Sequence, residues 1–403
     1  MSMSSAERTV QVLDNYEMDA RLWRRGRNAL ALLALGGWAV LAAGYSSGSA
    51  AFYPAYLLAF VYWLTIALGA LFFVMLQHLS GAAWSVTSRR VAETIALVIP
   101  LSAVLFLPIV FGLPQLYEWA RPEVVAADPV LQAKQSYLNP RGFTLRAAAC
   151  FLIWGLWAVI LYRNSVKQDD GGTLELTRAA AKWSAPGMIL LALTVSLASF
   201  DWLMSLDPHW FSTVFGIYIW SGSGLAGFAA ITLVLLAFRR MGMLRASVNH
   251  EHYHDLGKWL FALTVFWAYI AFSQYMLIWY GNIPEETAWY HERTAGTWRS
   301  VAALLVFGRF FVPFAVLMPR AAKRNLAVLA GAAAWILLMQ YVELFWVIMP
   351  VFRTEAGLMW IDVAAVAAVG ATFALAFWWL LRRHALAPVG DLRFTKALEF
   401  TNV

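Results

Sequence analysis

The sequence predicts an all-α polytopic membrane protein with ten transmembrane helices, and three observations carry that expectation. The 403-residue chain is 61% hydrophobic and only 13% charged, with a mean hydropathy of +0.63, far from soluble composition. Ten apolar runs are long enough to cross about 30 Å of hydrocarbon, which takes ~20 residues. Basic residues gather in alternate connections between those runs. A β-barrel would need alternating strands of ~10 residues, and these runs are twice that length and do not alternate.

The spans are expected over residues 29–45, 53–77, 92–113, 143–162, 184–204, 211–238, 259–280, 298–318, 326–349 and 358–381. The first, containing Gly36-Gly37, follows a polar segment, residues 1–28. That segment is too long and too acidic at its start for an ordinary signal peptide, so the first run is read as a retained helix. "DPHW" places Asp207 as an N-cap and Pro208 as the first residue of the sixth helix. Asp255 reads as the N-cap of the seventh.

One set of connections holds Arg21, Arg24, Arg25, Arg27, Arg89, Arg90, Arg163, Lys167, Arg178 and Lys182. The same set continues with Arg239, Arg240, Arg245, Lys258, Arg320, Lys323, Arg324, Arg382 and Arg383. The opposite set holds few bases (Arg121, Lys134, Arg141, Arg293, Arg353) and many acids. By the positive-inside rule both termini face the cytoplasm. The net charge of +7 is then a topology signal, and no nucleic-acid partner is implied. Trp and Tyr crowd the span ends ("MLIWYG", "FWWLLRRH") as interfacial belts do.

Ionisable groups at membrane depth are costly, so each is a candidate for function or for a helix–helix pair. Arg309 ("LLVFGRFFVPF") and Glu343 ("MQYVELFWV") lie on antiparallel neighbouring spans. Their depths differ by about four residues, roughly 6 Å at 1.5 Å per residue, which an arginine reaches across, so a buried pair is expected. Asp362 lies at a similar depth and either joins that pair or hydrates separately. Asp201, near the outer end of the fifth span beyond Ser196 and Ser199, has no capping role. It is expected to face a partner or a polar cavity reached from outside. At the other face, Gln77 and His78 end the second span and Glu93 opens the third. They form either a proton entry, since His titrates near neutrality, or an interfacial hydrogen-bonded set.

"NHEHYHD" offers His250, His252 and His254 at alternate positions, a spacing that loop contacts explain more readily than zinc. The seven histidines (78, 209, 250, 252, 254, 291, 384) fall at span ends or in connections, so no axial pair for a b-type haem lies within the spans. A single cysteine, Cys150, leaves no disulfide framework, no cysteine-ligated cluster and no haem attachment motif. Phosphate-binding glycine loops are likewise not apparent.

The stretches "SFDWLMSLDPHWFSTVFGIYIWSGS" and "HYHDLGKWLFALTVFWAYIAFSQYMLIWYGNIPEET", with the ten-span layout, resemble the second large integral subunit of bacterial alternative complex III. That subunit belongs to the polysulfide-reductase-like NrfD superfamily, and the resemblance runs over nearly the whole chain. It implies two four-helix bundles, helices 2–5 (53–204) and 6–9 (211–349), with helix 1 (29–45) and helix 10 (358–381) peripheral and residues 382–403 a cytoplasmic tail. It implies a chain without a redox cofactor, bound to a sister NrfD-like subunit and small membrane subunits in the bacterial plasma (inner) membrane. The haem c groups and iron–sulfur clusters are expected in a multihaem cytochrome c subunit and an iron–sulfur subunit, with membrane lipids and quinol as the small partners.

In the sister subunit an "FD" aspartate of the fifth helix, matching Asp201, serves quinol oxidation together with a His and a further Asp. Here the outer half of helix 2 has no His and helix 3 no outer acid, so that set is incomplete. Three functions follow in order. The first is a non-oxidising partner subunit of a quinol:electron-acceptor oxidoreductase, not catalytic alone. It supports assembly and proton translocation through Asp201, Ser196, Ser199, Arg309, Glu343, Asp362, His78 and Glu93. The second is a quinol-binding subunit. The third is an autonomous transporter, whose broken helices would have one candidate in the "SGSGLAGF" run, 221–228.

Overall fold

The computed structural model describes residue 14 and residues 16–401. Most of the predicted N-terminal segment, residues 1–13 and 15, and the last two residues of the tail lie outside the described residues. The protein is an all-α multi-pass membrane protein with no strand among the described residues. Among the described residues ten helices are long and apolar enough to cross a bilayer. They are α1 (Ala20–Ser46), α2 (Phe52–Leu79), α3 (Ala83–Phe111), α4 (Pro140–Asp169), α5 (Leu174–Leu206), α6 (Phe215–Arg240), α7 (His250–Gly281), α8 (Trp298–Leu317), α9 (Leu326–Val351) and α10 (Trp360–Leu381).

Several helices outrun their apolar windows at the arginine-rich end. α1 starts at Ala20 rather than 29, α5 at Leu174 rather than 184, and α7 at His250 rather than 259. Hydropathy stops where the hydrocarbon stops, whereas backbone hydrogen bonding continues until a cap ends it. Asp19, Thr173 and Asn249 are those caps, each accepting from backbone N–H groups of the first turn. Asp255 is therefore not the cap of its helix; it lies inside α7 and pairs with Lys258.

The expectation for "DPHW" is also corrected. α6 begins at Phe215 without a side-chain cap, and residues 207–210 form a turn pinned from outside. Lys134 Nζ donates to the Pro208 carbonyl at 2.6 Å, and His209 Nε2 lies 2.7 Å from Asp128 Oδ2. Trp210 stacks on Trp289, ring centres 4.6 Å apart. A cap preference is worth about 1 kcal/mol, and these anchors outweigh it.

α2 is the central helix, with 94% of its most apolar window buried. It packs against α6, α10, α3, α5 and α9. α6 in turn packs against α7, α9 and α5, while α1 lies along α10. The α2–α6 crossing is close because both helices carry glycine there. A Cβ on Gly69 would fall 2.0 Å from the Ser223 carbonyl oxygen, and one on Gly227 would fall 2.3 Å from the Gly69 carbonyl carbon. Small residues let membrane helices approach in this way. The "SGSGLAGF" run is therefore a packing face and remains helical throughout.

Interruptions occur elsewhere. α3 is notched ahead of Pro108, and Pro100 follows a turn at Leu97-Val98, since each proline lacks a donor for the preceding turn. α8 widens to a π-helical turn over Leu305–Phe311.

The arginine-rich ends meet on one face, together with the first and last described residues. Asp14 accepts from the backbone N–H groups of Arg245, Ala246 and Ser247. The Leu386 N–H donates to the Tyr16 carbonyl, and a last short helix, Phe394–Leu398, packs against α3. On the opposite face lie short helices at Pro122–Ala127, Pro129–Lys134 and Pro284–Thr294.

Candidate functional site

Buried ionisable groups fall into three sets. The first stands near the end of α5 away from the chain ends. Asp201 is 1% exposed and receives Arg146 of α4, with Nε at 2.6 Å from Oδ2 and Nη2 at 3.3 Å from Oδ1. Arg146 in turn lies over the Tyr137 ring, 3.9 Å from its centre. Burial and then the neighbouring Asp201 carboxylate push the Tyr137 phenol up to about 12, so it keeps its proton at neutral pH.

Ser196 and Ser199 do not join this set. Their hydroxyls donate to carbonyls of their own helix, at Ala192 and Val195. A hydroxyl facing an apolar wall satisfies itself on the turn below.

Behind Asp201 the interior is filled with rings. Trp202 lies against Phe106 (4.7 Å) and Phe151 (5.5 Å). Phe106 stacks on Phe143, and Tyr117 on Trp119. Tyr117 and Trp119 also donate to the carbonyls of Trp202 and Ser205. Between α2, α5 and α6 lies a cavity of about 20 Å³ beside Thr65, Ser199, Trp202 and Ser223, room for about one water.

The second set is sealed. Arg309, in the π-helical turn of α8, directs Nη2 at Glu343 Oε2 and at Gln340 Oε1, both 2.7 Å away on α9. Trp267 of α7 donates its indole N–H to Glu343 Oε1 and presents its ring to the guanidinium at 4.5 Å. The expected Arg309–Glu343 pair thus forms directly. Gly222 of α6 borders it: a Cβ there would lie 3.0–3.1 Å from Arg309 Nη2, Gln340 Oε1 and Glu343 Oε2.

Asp362 takes no part in that pair. It binds Arg353 by two hydrogen bonds (2.8 and 2.7 Å) and accepts the Met359 N–H at the start of α10. Arg353 follows α9 by two residues and reaches it first.

The third set lies at the arginine-rich face. Glu93 takes Arg89 Nε at 3.1 Å and Arg90 Nε at 3.3 Å. Arg89 also holds Asp391 of the C-terminal segment at 2.6 Å, and Arg90 holds Asp169 at 3.0 Å. The Arg89 guanidinium and the Arg393 bonds hold Asp391 down, at about 2 against burial's opposing push. His78 is 4% exposed, and neither of its ring nitrogens has a hydrogen-bond partner among the described residues. The same is true of Gln77 Nε2 and both Gln168 amide atoms. His78 thus does not hydrogen-bond Glu93, whose Oε1 accepts from Arg89 while Oε2 has no hydrogen-bond partner among the described residues.

The histidine tract does not converge. His252 completes a capping box with Asn249, and His254 Nδ1 lies 3.8 Å from Glu251. Among the described residues no group of three His, Cys, Asp or Glu side chains is placed to hold a metal ion.

Two members of these sets, and one buried arginine outside them, escaped the sequence reading. Arg146 sits at a span edge, where a base passes as an interfacial anchor, and Asp391 sits in a polar tail. Arg293, 1% exposed, donates to the Val347 carbonyl at 2.9 Å, and burial lowers it to about 10. Only the lone Arg in "TLRAAAC", one helical turn inside its span, was a signal. No protein-family model matches the chain, and no curated protein matches it significantly.

Proposed function

We propose that this chain is an integral membrane subunit, without a redox cofactor of its own, of a respiratory quinol:electron-acceptor oxidoreductase. In this reading it supports assembly and helps move protons, and it does not itself oxidise quinol. It works in the bacterial plasma membrane beside a sister NrfD-like subunit, with haem c and iron–sulfur clusters in partner subunits. The arginine-rich face with both chain ends is cytoplasmic by the positive-inside rule.

The observation that carries the non-oxidising role is the state of the first four-helix region. Quinol oxidation needs a free base beside each leaving proton and room for the ring near an electron acceptor. Asp201 is bound by Arg146, and the space behind it is filled by Phe106, Phe143, Phe151 and Trp202. For proton movement, His78 and Glu93 mark the cytoplasmic end and the Arg309–Glu343 pair a deeper station. Hydrogen-bonded acid–base sets inside a membrane are the common material of proton relays.

Quinol binding is the second reading, favoured by the partial exposure of Arg146 and Tyr137 above Asp201. The transporter reading loses its one candidate break, because residues 221–228 are continuous helix.

The test compares complexes in the same membranes. Asp201→Asn is expected to lower quinol:cytochrome c turnover less than loss of the corresponding Asp in the sister subunit. Equal abolition in fully assembled complexes overturns the non-oxidising role. Glu343→Gln is expected to lower protons moved per electron at unchanged turnover per complex, and an unchanged ratio overturns the proton role.

A further inference from the structure

We propose that the arginine-rich ends of α1 and α10 form a binding site for the phosphate headgroup of an anionic membrane lipid, built around Trp23. This inference rests on the membrane fold alone and stands apart from the proposed electron-transfer assembly. Trp23 is 7% exposed, and two guanidinium groups from different helices crowd its ring, Arg27 at 4.8 Å and Arg382 at 4.5 Å. Two cations gathered on one ring repel each other unless an anion joins them.

Among the described residues no carboxylate forms an ion pair with either guanidinium. Arg21, Arg24, Arg25, Arg27, Arg382 and Arg383 form no ion pair among them, whereas Arg89, Arg90, Arg324 and Arg393 on the same face each hold a carboxylate. Arg27 bonds only the neutral Asn28 side chain, and Arg383 lies over Trp379. The Asp19 carboxylate is turned to the N–H groups of Arg21 and Leu22 as the α1 cap. The second observation is independent of charge. The buried indole N–H of Trp23 has no acceptor among the described residues, although a buried donor is ordinarily paired.

An open groove lies beside Arg382, lined by Glu17, Met18, Asp19, Arg382, Arg383 and His384, so that two carboxylates share it with two guanidinium groups. The Arg382 and Arg383 guanidinium groups give it the charge-assisted donors that a phosphodiester oxygen accepts. Position selects a lipid as the source. Leu32, Leu33 and Leu35 are 71%, 53% and 69% exposed and lie about 8–12 Å further along α1 at 1.5 Å per residue. They offer acyl chains a wall directly below the headgroup level, and basic pockets between helices at this level are known to suit such lipids.

The test uses the full-length protein in neutral detergent, titrated separately with phosphatidylglycerol, phosphatidylcholine and sodium phosphate, with bound species read by native mass spectrometry. Phosphatidylglycerol is expected to be retained in preference to phosphatidylcholine. The Arg27→Gln/Arg382→Gln variant should weaken that retention on the order of twenty- to thirty-fold, from about 1 kcal/mol per arginine, and leave phosphatidylcholine unchanged. Arg240→Gln/Arg245→Gln removes the same charge elsewhere on this face and should stay within about twofold of wild type.

Equal binding of the two lipids by wild type overturns the site. So does equal weakening by the two double variants, which would mean diffuse surface charge, or phosphate binding as tightly as phosphatidylglycerol, which would mean a free-anion site. Should the Gln variant fail to fold, Arg27→Lys/Arg382→Lys replaces it. That variant keeps the charge and loses the planar stacking on Trp23, so retention indistinguishable from wild type would also refute a site built on that ring.

Discussion

Arg146 grips Asp201 with two of its nitrogens, so that a carboxylate 1% exposed is held by a guanidinium one-fifth exposed. The pair links α4 to α5 at a point where neither helix has another polar tie of this strength. Arg146→Gln leaves a buried carboxylate without its cation and should destabilise the protein by up to about 3 kcal/mol, at the lower end for buried pairs because water reaches the arginine. Asp201→Asn leaves only the partly exposed cation unpaired and should cost less. Thermal unfolding of both variants in detergent checks the order, and the reverse order would mean that Asp201 is not held by this pair.

The sealed pair should behave differently. Arg309→Met strands Glu343 in the interior and should cost about 3–5 kcal/mol, whereas Arg309→Met/Glu343→Met should recover much of that loss. A double-mutant cycle on folded yield or denaturation midpoint measures the coupling. Additive losses would show that the two residues act separately.

Gly222→Ala tests how closely α6 must approach that network. The added methyl meets Arg309, Gln340 and Glu343 at 3.0–3.1 Å, so one of them must shift. A cost of about 1–3 kcal/mol is expected, and it should shrink when Gln340 is shortened to Ala in the same chain, the contacts with Arg309 and Glu343 remaining. Gly331→Ala on α9, where a Cβ meets nothing within 4 Å, is the control and should be neutral.

Asp391 gives the docked C-terminal segment a pH limit. Its carboxyl lies near 2, below the ordinary 3.8, so the folded state prefers it ionised. The stability it contributes, roughly 2 kcal/mol by linkage, is present above about pH 4 and disappears as pH falls through about 2. Hydrogen exchange over residues 385–398 should rise across that window beyond its intrinsic pH dependence. Asp391→Asn should exchange faster already at pH 7 and lose the window. A wild-type-like profile in that variant would remove Asp391 from the docking.

The number and order of the spans were legible because lipid tolerates only long apolar helices here, and "FVYWLTIALGALFFVML" has no other soluble reading. Helix ends were less legible, since Thr173 and Asn249 cap beyond the hydrocarbon, where hydropathy carries no signal. The Arg309–Glu343 pair was readable from depth alone, both residues being charged within apolar runs. Arg146 and Asp391 were not, because a base at a span edge and an acid in a tail look solvated until the fold brings Asp201 and Arg89 to them. Ser196 and Ser199 illustrate the converse, hydroxyls close in sequence to an acid that spend their donors on their own helix.

The bond between Arg89 and Asp391 joins residues 302 positions apart, and this sets a schedule for biogenesis. At 5–20 residues per second, synthesis leaves Arg89 without its tail partner for roughly 15–60 s. During that time the rest of α3 and α4 to α10 are made, while the carboxylate that will close the end of α2 and α3 is still untranslated. Closure of this face therefore comes after every span has been synthesised. A released chain truncated before residue 391 should have all ten helices inserted and this end still open to labelling reagents.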